Sequence, residues 1–125
     1  MKRLLFVASI LSALIIAIGV FAARADTDAK KTQRATIQFN EPVKLLNALL
    51  KGEYVFVHDE EKMAKGEDCT YVYNSAGRLI VSFHCVPAER RKVDHFQVVT
   101  MRLTNDLREI REYQFAGSTE AHQVP

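Results

Sequence analysis

Apart from Met1, eight side chains in this sequence carry soft or borderline donor atoms: His58, Met63, Cys69, His84, Cys85, His95, Met101 and His122. Imidazole, thiolate and thioether are the ligands of copper and zinc. A copper centre joins imidazole and thiolate to a weak axial thioether, which makes His58, His84, Cys85, His95 and Met101 the candidate set for a copper-type site. The spacing argues against one. No C-x-x-C, H-E-x-x-H or C-x-x-C-H occurs, and Cys85, His95 and Met101 are spread along two strand-like runs instead of one compact loop. The expectation is no metal and no cofactor, with the copper-type protein as the alternative.

Cys69 and Cys85 can instead bond to one another, because the sequence carries an export signal and exported compartments are oxidising. Both flank the turn Asn74-Ser75-Ala76-Gly77. If Tyr73 pairs with Arg78 across a four-residue loop, Cys69 faces Ser82 and Cys85 projects from the other side of the sheet. A loop one residue shorter or longer, or a bulge, reverses the parity and makes the cysteines diagonal neighbours. A disulfide is expected, closing a loop of about 15 residues worth about 3 kcal/mol by the chain-entropy argument. The plain alternative is a pair of buried thiols packing as small hydrophobes.

Catalytic patterns are weaker. No G-x-S-x-G elbow is present. His84 and Cys85 are adjacent on a strand and so point to opposite faces, which precludes a direct nucleophile–base pair. Ser82 and His84 share a face, a common coincidence at that spacing. Glu109 and Glu112 alternate with Arg108 and Arg111, the pattern of surface ion pairs worth little. The expectation is a protein without enzymatic activity, an enzyme of unrecognised type being the more distant alternative.

The export signal itself occupies residues 1–25. Lys2 and Arg3 form a positive n-region, the uncharged run Leu4–Ala23 follows, and Ala23-Arg24-Ala25 places small residues at −3 and −1 of a cleavage site before Asp26. The run is also long enough to serve as an uncleaved anchor, since about 20 apolar residues span a bilayer. Gly19 and the Ala-Arg-Ala tripeptide favour cleavage, and both readings place the domain outside the cytoplasm, periplasmic or extracellular. Removing Lys2, Arg3 and Arg24 from 17 basic residues leaves 14 against 15 acids, a mature net charge of −1. That balance lacks the basic footprint of a nucleic-acid binder. Arg90-Arg91-Lys92 and Asp59-Glu60-Glu61 read as solvated loops.

These elements must position the donors. The mature chain has 125 − 25 = 100 residues, enough for one core. Residues 26–34 (DTDAKKTQR) are polar and read as a flexible tether, with a single β domain over 35–125. Period-two patterning predicts strands at Ala35–Phe39, at Glu53–His58 after a turn at Gly52, at Cys69–Tyr73, and at Leu79–Val86 terminated by Pro87. His95–Leu103 and Leu107–Phe115 form a second hairpin across Thr104-Asn105-Asp106, although Leu107, Ile110 and Gln114 also fit a helix capped by Asp106. Val43–Leu50 has helical spacing at Val43, Leu46, Leu49 and Leu50 and is left open between helix and strand. The fold class is all-β, an antiparallel sandwich or small barrel of six or seven strands with at most one short helix. Tyr54, Phe56, Tyr71, Tyr73, Phe83, Phe96, Tyr113 and Phe115 are expected to fill its core more than to line an apolar ligand pocket.

Phe39, Pro42 and Val43, then Gly52, Tyr54 and Phe56, then Tyr73, Asn74 and Gly77, Pro87 and Arg90, and finally Gly117 form an ordered pattern. In this order the chain resembles a group of small exported bacterial β proteins with no assigned activity. The resemblance runs from about Ala35 to Pro125 and rests on turn and core residues. It implies an all-β secreted fold and supplies no catalytic residues. The cysteines and His84 depart from the pattern. The function expected is an exported, non-catalytic domain that acts by binding or as an envelope structural component. Its partner is a protein or envelope component of unknown identity, not nucleic acid, with membrane contact only if the N-terminal segment is retained. Mass spectrometry of envelope or medium protein is expected to show Asp26 as the first residue, whereas Met1 in an integral membrane fraction would identify an anchor.

Overall fold

The computed structural model describes residues 32–125; the signal segment and the tether as far as residue 31 lie outside them. Among the described residues no helix is long and apolar enough to cross a membrane. The fold is all-β. Its strands are β1 (Thr32–Leu45), β2 (Ala48–Asp59), β3 (Thr70–Asn74), β4 (Leu79–Phe83), β5 (Val86–Glu89), β6 (Gln97–Arg102), β7 (Arg108–Gln114) and β8 (Glu120–Gln123), with one short helix α1 (Glu60–Ala64). The strands form one sheet in the order β4-β3-β2-β1-β7-β8-β5, and β6 also pairs with β7.

The long β1–β2 hairpin resolves the open segment Val43–Leu50. Val43 and Leu45 end β1, Leu46 and Asn47 turn, and Leu50 returns in β2, with Leu45 opposite Ala48. Leu46 holds the turn at φ +52°, a conformation that non-glycine residues rarely adopt. The helical spacing of the leucines is thus incidental: Val43, Leu45 and Leu50 enter the core, while Leu49 is exposed. Gly52 is not the turn before a strand but lies within β2, at φ +96°, opposite the irregularity between Phe39 and Val43 where Pro42 interrupts the pairing.

Strand also begins earlier than the composition suggests, since Thr32, Gln33 and Arg34 pair with Asp59, His58 and Val57. Those residues belong to β1 and not to a tether. Around Asn74 the turn forms as the sequence predicts: its Oδ1 accepts from the backbone N–H groups of Ala76 (3.0 Å) and Arg78 (2.9 Å). The predicted run Leu79–Val86 breaks, however. β4 ends at Phe83, and after His84 and Cys85 the chain crosses to the far end of the sheet as β5, paired with β8. Pro87 therefore sits inside an edge strand, where a missing donor is tolerated, and does not terminate one.

The second hairpin, β6–β7, forms as strand on both sides, so Leu107–Phe115 is not helical. One pairing departs from an antiparallel sheet: β1 and β7 run parallel through Val43–Arg108 and Lys44–Glu109. Asp59-Glu60-Glu61 is not a loop, because Asp59 Oδ1 accepts from Lys62 N–H (3.1 Å) and caps α1. Nor is Arg90 a merely solvated charge. Its Nε and a terminal nitrogen donate to the two oxygens of buried Glu112 at 3.2 and 2.8 Å, a two-point contact across to β7. Burial of that carboxylate against an arginine removes Glu112 from the set of surface ion pairs.

Phe56, Phe83, Tyr113 and Phe115 are buried as expected, and Tyr54 and Phe96 pack against them. Tyr71 and Tyr73, on the other face from buried Val72, are only half-buried. Tyr113 lies against Phe56, Phe96 and Phe115 at ring separations of 5.5, 6.0 and 5.7 Å. Its hydroxyl is hydrogen-bonded to Thr70 Oγ1. Removing one partner of a buried bond strands the other, whereas removing both is far cheaper. Tyr113→Phe and Thr70→Val are each expected to cost about 1–3 kcal/mol in urea unfolding, and the double variant much less than their sum.

Candidate functional site

Three strands and a helix converge on one end of the core. Tyr54, Phe56 and His58 share a face of β2 by the strand period, and His58 is the last of them before α1. On β8 the same alternation does not protect polarity: His122, paired with Tyr113 and Pro87, is 1% exposed, as is His58. The two imidazoles stack at 3.9 Å between ring centres, and His122 lies 5.1 Å from the Tyr113 ring.

The cysteines complete the cluster. In β3–β4 the register shifts between Val72 and Tyr73, so Thr70 pairs with Phe83 and Tyr71 with Ser82. The turn and the shift together leave Cys69 level with His84, the same parity as a plain four-residue loop, so ladder pairing alone would not join the cysteines. They meet because Cys69 precedes β3 and Cys85 follows the end of β4, where the chain leaves the hairpin. Cys69 and Cys85 are joined as a disulfide with Cα atoms 6.4 Å apart, within the span such bonds require. Both are fully buried. The His58, Cys69 and Cys85 donor atoms lie within 4.8 Å of one another. Cys85 Sγ is 3.8 Å from His122 Nδ1 and 3.9 Å from Met63 Sδ on α1.

Of the sequence candidates, His58 and Cys85 are therefore brought together. The other three are not. His84 is exposed, with Nδ1 3.2 Å from the Glu67 carbonyl; His95 is exposed before β6; and Met101 is 47% exposed on β6. Their places are taken by Cys69, His122 and Met63, all present in the inventory of soft donors but scattered in sequence. The signal that could have found His122 is the short β8, whose Ala121-His122 follows the turn at Gly117.

Burial holds the imidazoles of the site in their neutral form. Burial lowers the His58 pKa, opposed by nearby Asp59. Burial, and then the adjacent His58, lower His122 to about 4. Neutral imidazoles offer a free lone pair, the form that binds metals. Among the described residues neither nitrogen of His58 has a hydrogen-bond partner. Glu120 borders the site with a carboxylate oxygen 3.8 Å from His122 Nδ1, and Glu60 carries a carboxyl raised by burial and by Glu120. Two imidazoles, two sulfurs and a thioether are a ligand set for zinc or copper once the disulfide is opened. While it is closed, neither sulfur is a thiolate and only His58, His122 and Met63 remain as donors.

No protein-family model, curated protein or solved structure matches this chain.

The depressed histidine pKa values set an acid limit. A histidine whose folded pKa lies below 6.5 binds fewer protons folded than unfolded, so stability is full above 6.5 and is lost as pH falls toward about 4. Unfolding of the metal-free disulfide form is expected to become easier by on the order of 2–3 kcal/mol across this window. Glu60 acts in the opposite sense lower down, so the upper half of the window is the clean readout, and His122→Phe is expected to flatten it.

Proposed function

We propose that this protein is an exported, non-catalytic β domain that binds a thiophilic metal ion, Zn(II) or Cu(I), in the reduced form of its buried cluster. Cys69 and Cys85 supply thiolates, and His58 and His122 supply neutral imidazoles. Met63 supplies the weak thioether on the side of α1. Metal binding was the alternative to an unspecified binding role on sequence grounds; the convergence of these five residues makes it the favoured reading.

The observation that carries it is His58. A buried polar side chain without partners costs about 1–3 kcal/mol, and a fold that keeps one has a use for it. Here the two idle nitrogens lie beside two sulfurs and a second neutral imidazole, which is a recognition set and not a random defect. Two thiolates and two imidazoles fill a four-coordinate site, and the thioether of Met63 covers its remaining side, leaving no vacant position for a substrate. That favours storage, delivery or a structural ion over turnover. The curled sheet, read as an open half-barrel, encloses the cluster at one end. The disulfide is compatible with the exported location that the signal segment implies.

Titration of the anaerobically reduced chain with Zn(II), and separately with Cu(I), against a chromophoric chelator is the test. One ion per chain is expected. His58→Leu is expected to lower affinity at least about 100-fold, the loss typical of damaging a metal's ligand shell, while raising the urea midpoint of the metal-free chain because the orphaned ring is gone. His84→Ala, His95→Ala and Met101→Leu are expected to bind as the parent does. A folded, reduced chain that takes up neither ion would sink the reading.

A further inference from the structure

The same two sulfurs that would bind the ion are joined to each other, and the surroundings of that bond are built for opening it. We propose that the Cys69–Cys85 disulfide is the gate of the metal site, opened by a dithiol reductant that attacks Cys85. The proposal rests on the reading of the cluster as a metal site and adds what controls it.

The two sulfurs are not equivalent. Cys85 lines the floor of a surface depression of about 480 Å³ between α1 and the crossover, bordered by Glu60, Met63, His84 and Pro87. Met63, with its flexible unbranched side chain, stands against Cys85 Sγ from this side. Helix α1, which carries Met63, has five residues and buries none of them, so displacing this cover disturbs little of the core. Cys69 lies on the inner side, where its sulfur accepts the Cys85 backbone N–H (3.2 Å) and lies 3.8 Å from Thr70 Oγ1. A sulfur that already accepts an N–H is the better leaving group, because the same hydrogen bond strengthens as negative charge develops on it.

The exchange then balances. A thiolate of the reductant forms a bond to Cys85 Sγ as the Cys85–Cys69 bond breaks, and the bonding pair leaves on Cys69 as a thiolate held by the Cys85 N–H. The second thiol of the reductant, deprotonated, attacks its own sulfur in the mixed disulfide, and Cys85 leaves as a thiolate. The reductant departs as a cyclic disulfide, having given up two electrons and two protons, which the protein holds as two thiols. An entering Zn(II) displaces those two protons. The reverse passage, by a disulfide oxidant that accepts two electrons, re-forms the bond and expels the ion.

Opening the bond lets the two sulfurs separate while the backbone that carries them stays in place. Cys69 is held by its own N–H to the Phe83 carbonyl (3.1 Å) and by its carbonyl to the Asp59 N–H (2.8 Å). Cys85 is confined between β4 and β5, and the imidazoles, stacked on one another at 3.9 Å, need only a ring rotation to turn their in-plane lone pairs toward one ion. The gate therefore changes the chemical state of two ligands without rebuilding the scaffold.

Linkage makes the idea testable from both sides. An ion that prefers the dithiol must make the disulfide easier to reduce by the same factor. The midpoint potential of the Cys69–Cys85 couple, read by alkylation in redox buffers at free Zn(II) fixed by a chelator, is expected to rise by about 30 mV for each tenfold increase in Zn(II) above its dissociation constant. The disulfide form is expected to bind Zn(II) at least about 100-fold more weakly than the dithiol. Brief exposure to glutathione, quenched with acid, is expected to place the mixed disulfide on Cys85. A reduced chain that binds Zn(II) with a midpoint indifferent to the ion, or equal affinity in both states, overturns the gate and leaves the metal site standing. Adducts on Cys69 overturn the proposed direction of attack. A reduced chain that binds no ion overturns the metal reading itself. Circular dichroism guards the comparison: strand signal lost on reduction and not restored by Zn(II) also overturns the gate.

Discussion

The ring of Tyr113 packs on Phe56 of β2, Phe83 of β4, Phe115 beyond β7 and His122 of β8, while its hydroxyl reaches Thr70 of β3. Strands far apart in sheet order can meet on one side chain only if the sheet curls, so this contact and the curl imply each other. The consequence is a core with an aromatic centre and a polar rim. Burial drives the phenol pKa up, which keeps the hydroxyl a neutral hydrogen-bonding group. The same desolvation acts on His122 in the opposite sense, holding its imidazole unprotonated. A single physical condition, the dryness produced by closing the sheet over Tyr113, thus sets both the packing and the charge state of the site beside it.

That dryness has a cost which the domain does not recover locally. Two neutral imidazoles occupy volume that apolar side chains would fill more favourably, and His58 satisfies neither of its nitrogens among the described residues. Other polar groups in the interior are dealt with differently. Glu112 meets the guanidinium of Arg90 at two points, and Gln114 donates its amide to the carbonyls of Arg91 and Ser118 at 2.7 and 2.8 Å. Those contacts tie the 90–94 segment and the β7–β8 turn to the sheet. Among the described residues the buried polar atoms left without a hydrogen bond are the two His58 nitrogens and a Glu120 carboxylate oxygen, both groups lying beside the His122 ring.

The disulfide joins the two accounts. As a staple it spans the β3–β4 hairpin, which its hydrogen-bonded ladder and the Asn74 turn already secure. A covalent link across a hairpin that is already well specified adds less to the fold than one closing a long loop would. Its position inside the donor cluster is the more consequential property, because bonding the sulfurs to one another and binding them to an ion are mutually exclusive states of the same electron pairs.

Local chemistry was sufficient for part of this. The Asn74–Gly77 turn follows from one asparagine that accepts two backbone N–H groups and one glycine at positive φ, both readable in order along the chain. The all-β class follows from the period-two spacing of apolar residues, although Glu53–His58 reads as apolar on both faces and only the structure shows Phe56 and His58 as its buried side. Nonlocal packing decided the rest. The Leu46-Asn47 turn was illegible because the residue held at positive φ is a leucine, a conformation its own chemistry disfavours and the flanking strands impose. The break after Phe83 carries no glycine and precedes a proline that tolerates an edge strand, so nothing local announced that Cys85 would leave one hairpin for the far side of the sheet. His122 was marked only by its place in the short β8 after the Gly117 turn, which says nothing of its partners, since these come from β2, β7 and the crossover. Sequence determined which donors exist and which face each strand offers them, because those depend on neighbours two to four residues away. Which donors meet depended on where β4 ends and on strand order, because these are settled only when distant segments compete for the same core.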